Sequence, residues 1–163
     1  MCRKDIRFYA RGRAGNPWCL SICVLSARNL LPHRSPTLKY LIVEDDPNLR
    51  LLWRSVLGDL GYSVSEAATL EDAEAALRET AFDAMVLDLY LGRENGLSLA
   101  MTVEKVSPGC KVIVVTGAAD VREDELRAKV GSIVSVHHKP VDIEDLIGVC
   151  AQLGKASGAA ASG

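Results

Sequence analysis

Apolar residues along this chain come in two kinds of run. Short, nearly unbroken blocks recur at Leu38-Lys-Tyr-Leu-Ile-Val43, Ala84-Met-Val-Leu87, Lys111-Val-Ile-Val-Val-Thr116 and Ile133 to His137. Blocks of this length suit strands buried on both faces, as in a parallel sheet covered by helices. Tyr62-Ser-Val-Ser-Glu66 alternates instead and reads as a further strand. Between the blocks the apolar positions return at helical spacing. Leu49, Leu52, Trp53, Val56, Leu57 and Leu60 line one face of a helix, with Asp46 as N-cap, Pro47 in the first turn and Gly61 closing it. Thr69 with Asp72 resembles a capping box and opens an alanine-rich helix to about Thr80. A loop follows Asp88, then a helix from about Gly96 to Val106 and a turn at Pro108-Gly109. Asp120 to Val130 and Asp142 to Leu153 complete the helices.

Strand and helix thus alternate five times, which predicts a single parallel sheet with helices on both faces and right-handed crossovers. The domain is expected over residues 38–153. A chain that stops soon after its fifth helix is expected to carry no C-terminal output module and no DNA-binding domain. Residues 154–163 are nearly all small and are expected to form a flexible tail.

Charge changes the picture at one end only. The chain has 163 residues, 48% of them apolar, with 19 Lys plus Arg against 21 Asp plus Glu. Residues 1–37 hold seven of those bases (Arg3, Lys4, Arg7, Arg11, Arg13, Arg28, Arg34) and the single acid Asp5, leaving 12 bases and 20 acids beyond. The opening stretch therefore carries +6 and the remainder −8. The stretch is expected to be a disordered basic extension; an arm for nucleic acid or membrane is the alternative. Nothing approaches the roughly 20 apolar residues that span a bilayer. The cysteines, Cys2, Cys19, Cys23, Cys110 and Cys150, are odd in number and scattered, matching neither a disulfide framework nor a paired zinc pattern. Reduced thiols and a cytoplasmic location follow as expectations.

The chemistry of open α/β sheets lies beyond the C-terminal ends of the strands. Glu44 and Asp45 stand there after the first predicted strand, Asp88 after the third, Thr116 after the fourth and Lys139 after the fifth. Three carboxylates in one cavity repel unless a cation joins them. All-oxygen ligands suit magnesium, which could screen a carboxylate from an incoming phosphoryl group. Lys139 could pair with Asp88 or with a phosphoryl oxygen, and Thr116 could donate to another. Asp88 as a mere loop opener is the plainer reading. His137 and His138 are read as core or solvent positions, Trp53 as core packing, and Glu123-Asp-Glu125 as a solvated helix face.

These motifs, Ile-Val-Glu44-Asp45-Asp46-Pro47, Val-Leu-Asp88 with Gly96 eight residues on, Val-Val-Thr116-Gly117 and Lys139-Pro140, together resemble the receiver domain of two-component response regulators over residues 38–153. The resemblance implies a flavodoxin-like doubly wound α/β fold with strand order 2-1-3-4-5 and five helices. It implies Asp88 as phosphoacceptor, Asp45 as a direct Mg2+ ligand, Glu44 acting through water, and the Tyr90 backbone carbonyl as a further ligand. Thr116 would be the switch hydroxyl and Lys139 the lysine of the pattern, with a cis Lys139-Pro140 bond. The expected donor is a sensor histidine kinase or histidine phosphotransfer protein. The output would pass through an unknown protein target, or the chain would serve as a phosphorelay shuttle or phosphate sink; the face formed by the fourth helix, fifth strand and fifth helix would bind the partner or pair as a homodimer. Such a chain is a signalling domain and not an enzyme. A pseudo-receiver that binds partners without phosphorylation is the second reading.

Three departures from the pattern stand out. Val136 occupies the position, three before the lysine, where an aromatic is usual. Gly92 replaces the common proline after the phosphoacceptor. Tyr90 is bulky where substituents tune the life of the phosphoryl group, and is expected to slow the approach of water. Faster dephosphorylation of Tyr90→Ala is the check on that expectation.

Overall fold

The computed structural model describes residues 37–160. Five parallel strands form the sheet: β1 (Lys39–Val43), β2 (Ser63–Ala67), β3 (Ala84–Asp88), β6 (Lys111–Thr116) and β7 (Ile133–His138). Their spatial order is β2-β1-β3-β6-β7, the flavodoxin-like 2-1-3-4-5 when sheet strands alone are counted. Two further two-residue strands, β4 (Tyr90–Leu91) and β5 (Glu94–Asn95), pair as a small antiparallel hairpin after β3. The sequence alone predicts a loop over this segment. Two residues a side leave no periodicity to see, and Gly92, at φ +60°, makes the tight turn.

Alternation along each buried strand separates two cores. Leu41, Val43, Met85, Leu87, Val112 and Val114 face α2 (Leu70–Glu79), α3 (Leu97–Val106) and α4 (Glu123–Lys129). Tyr40, Ile42, Val86, Ile113 and Val115 face α1 (Pro47–Asp59) and α5 (Ile143–Ala160), meeting Trp53, Leu57, Leu146 and Cys150. Both faces are covered, so the strands read as continuous apolar blocks. β3 lies in the middle with all five residues buried, Asp88 included.

The helix ends follow their caps. Asp46 accepts from the Asn48 and Leu49 amides at 2.7 and 3.3 Å, and Gly61 takes φ +82° just past the end of α1. Thr69 accepts from the Asp72 amide at 3.1 Å and its hydroxyl donates back to Asp72 Oδ2 at 2.8 Å. α4 is shorter than expected, because Asp120 to Arg122 lie outside it and no side chain caps it. α5 is longer, passing through Gly154 to Ala160 where Leu153 was expected to end it. Gly154 serves contact there: a Cβ would meet the Tyr62 hydroxyl oxygen at 2.8 Å. The basic stretch and Cys2, Cys19 and Cys23 lie outside the described residues. Cys110 and Cys150 are free and buried, and burial pushes the Cys110 thiol up to about 12. Among the described residues no helix is long and apolar enough to cross a membrane.

Candidate functional site

The carboxyl ends of β1 and β3 bring their acids together. Suitably chosen ligand oxygens of Glu44, Asp45 and Asp88 all lie within 4.8 Å of one another. Glu44 and Asp88 are buried, 2% and 5% exposed, while Asp45 faces solvent. Sheet bonding fixes their backbones: the Glu44 amide donates to the Ala67 carbonyl at 3.2 Å and the Leu89 amide to that of Val115, also at 3.2 Å.

Lys139 closes the cluster. Its Nζ donates to Asp88 Oδ2 at 2.6 Å and to both Glu44 oxygens at 3.0 and 3.1 Å. The lysine reaches the site because β7 runs beside β6 and the Lys139 amide donates to the Thr116 carbonyl at 2.8 Å. The Lys139-Pro140 bond is cis, as the resemblance implied. The other Asp88 oxygen, Oδ1, accepts from the Tyr90 amide at 2.9 Å, so both oxygens of this carboxylate are held. Thr116 is fully buried at the end of β6, and its Oγ1 accepts from the Ala118 amide at 3.2 Å.

Burial raises the Glu44 carboxyl above its ordinary value, with the bonds and charge of Lys139 pulling against it. Burial draws the Lys139 ammonium down, but the hydrogen bonds and charges of Asp88 and Glu44 outweigh it and leave the net shift upward. One ammonium against three carboxylates leaves an unbalanced charge of two, all of it on oxygen. That donor set fits a small divalent cation, which demands oxygen ligands and keeps several waters.

Arg50 goes unremarked in the sequence, and the structure gives Gly92 and Gly96 supporting roles that their residue types do not announce. Arg50 Nη1 donates to the backbone carbonyls of Glu44 and Asp45 at 2.7 and 3.3 Å, pinning the loop that carries both acids. Glu66 holds the same guanidinium from β2 at 3.5 Å. In sequence Arg50 is one more base on a solvated helix turn. The Gly92 amide donates to Asp45 Oδ2 at 3.0 Å. A proline there, the residue common in the family, has no N–H to offer. Gly96 packs so closely that a Cβ would lie 2.6 Å from the Asp88 carbonyl oxygen. His137 and His138 stand apart from the acids: their ring nitrogens meet Ser135 Oγ and the Ala118 carbonyl. Trp53 is buried core, and Tyr90 is 49% exposed at the rim.

A family model described as response regulator receiver domain matches residues 40–151. The transcriptional regulatory protein AlgB of Pseudomonas aeruginosa, named for alginate biosynthesis, is 36% identical over 92 residues, covering 55% of this chain and 20% of that protein. GlrR of Escherichia coli, also a transcriptional regulatory protein, is 32% identical over 106 residues, 65% of this chain and 24% of that one. The chain thus spans a quarter or less of the length of these curated relatives. A CheY-like receiver domain protein from Methanospirillum hungatei superposes with a TM-score of 0.68 at 26% identity, covering 74% of this chain and 96% of its own. The receiver domain of DrrB, solved in a BeF3-activated form, gives 0.64 at 25% identity, covering 72% and 97%. The chain belongs to the response regulator receiver domain family of two-component systems.

Proposed function

We propose that the chain accepts a phosphoryl group on the Asp88 carboxylate from the phosphohistidine of a sensor kinase or a histidine phosphotransfer protein. The observation that carries this reading is the state of Asp88: buried, both oxygens held, and grouped with two more acids around one ammonium. A carboxylate oxygen attacks phosphorus, the phosphorus–nitrogen bond breaks, and the departing imidazole keeps the bonding electron pair. Lys139 and the Tyr90 amide aim the carboxylate, and Lys139 then offsets charge on the phosphoryl oxygens. Asp45, Asp88 and the Tyr90 carbonyl, with Glu44 beside them, would hold a Mg2+ ion, which would supply charge neutralisation for the transferring group. Thr116 donates to a phosphoryl oxygen.

The relatives' roles in transcription belong to proteins several times longer, so only the receiver step is carried across. The signal leaves this domain through a protein partner or through pairing of α4, β7 and α5 between copies, in the cytoplasm. The DrrB domain is described as BeF3-activated, and beryllofluoride mimics a phosphoryl group, which favours this reading over a pseudo-receiver. Labelled acetyl phosphate tests it. Label that is acid-stable, base-labile and lost with EDTA supports magnesium-dependent acceptance; no label with Mg2+ present sinks it.

A further inference from the structure

A receiver needs a part that feels the site and a part that a partner can touch. The family pattern gives that link to an aromatic at position 136. Here Val136 is half-buried and packed against the core. A valine turns about one stiff side-chain bond and uncovers no new surface by doing so.

Two hydrogen bonds provide another route. Thr116 Oγ1 accepts from the Ala118 amide at 3.2 Å, and the Ala118 carbonyl lies 3.1 Å from His138 Nδ1. A carbonyl only accepts, so Nδ1 carries the proton and donates. One residue after β6 is therefore held at both backbone groups, by a buried hydroxyl at the site and by an exposed imidazole on β7. Thr116 follows Val115, the residue registered with Asp88 across the sheet.

We propose that His138 reports the state of Asp88 through Ala118, in place of an aromatic at 136. The inference rests on the phosphoacceptor reading of Asp88. A phosphoryl group there adds strong acceptor oxygens. Turning the Thr116 hydroxyl towards them withdraws Oγ1 from the Ala118 amide. The Ala118 peptide then reorients, and the imidazole follows it or lets go. Because the ring is exposed, a partner docked beside β7 meets a changed surface.

The test is NMR of the full chain before and after acetyl phosphate with Mg2+, the adduct being verified by intact mass on each sample. Wild type should show the Ala118 amide, the His138 ring and the amides of 135–138 moving together. In His138→Leu the adduct should still form and Ala118 still move, while the shifts over 135–137 fall by about half or more. A phosphorylated wild type with an unmoved His138 ring overturns the relay and leaves the phosphoacceptor reading standing. So do equal shifts in His138→Leu and wild type. Wild type that takes up no phosphoryl group overturns both.

Discussion

Lys139 Nζ sits 2.6 Å from Asp88 Oδ2 while also bonding both oxygens of Glu44. One ammonium thus supports two buried carboxylates from different strands. Removing it leaves both without a counter-charge. Lys139→Met should cost on the order of 2 kcal/mol in EDTA, less than a fully buried pair because 25% of the lysine side chain is exposed. Since Mg2+ would take over part of the neutralisation, the variant should gain more from the ion than wild type does. Urea unfolding with and without Mg2+ measures both effects. Equal Mg2+ stabilisation in the two proteins would contradict this role.

The same pair sets the pH response. The Lys139 value is raised on folding, so its contribution is complete below the ordinary 10.5 and is lost as pH rises through the folded value. Glu44 is also raised, so its contribution is present below the ordinary 4.5 and lost as pH climbs through the folded value. Above that point its buried charge opposes folding. Metal-free protein should therefore lose stability as pH rises from 4.5 through the folded Glu44 value, and Glu44→Gln should remove that decline. Chemical denaturation in EDTA across this range is the measurement. A Glu44→Gln curve parallel to wild type would speak against it.

Arg50 acts at one remove, through the carbonyls of Glu44 and Asp45. A hydrogen bond from a charged donor contributes about 1.5 kcal/mol or more, so Arg50→Met should weaken Mg2+ binding by roughly tenfold. Calorimetric titration of Mg2+ gives the number directly. An unchanged affinity in a folded variant would confine Arg50 to packing.

Gly96 has φ −64°, a conformation that any residue adopts, so its constraint is space and not backbone freedom. An added Cβ would press on the Asp88 carbonyl oxygen at 2.6 Å and on Leu87 Cδ1 at 3.1 Å. Gly96→Ala should destabilise by about 1–3 kcal/mol and slow phosphorylation by displacing Asp88. Thermal melts together with labelling rates check it. Wild-type behaviour in both would show that the backbone gives way freely.

The fold was legible because buried parallel strands leave continuous apolar blocks, each stopping where its strand meets the site. Asp46 and Thr69 announced their helices by local capping, which needs no tertiary context. Glu44, Asp45, Asp88 and Lys139 could be gathered from topology alone, since each stands at or just past the end of a strand. The supporting groups were not legible for a common reason: they act through backbone atoms. Arg50 holds two carbonyls and Gly92 offers an amide, and neither role leaves a mark in residue type. The β4–β5 hairpin was too short for any period, and the far end of α5 was hidden by a glycine that packs where it was expected to terminate.

The most direct measurement is intact-mass and peptide mapping of the full chain after acetyl phosphate and Mg2+. A single phosphoryl group on the peptide containing Asp88, absent in Asp88→Asn and absent in EDTA, is the predicted result. An unmodified wild-type chain, or an adduct that persists in Asp88→Asn, would contradict the assignment of Asp88 as the phosphoacceptor.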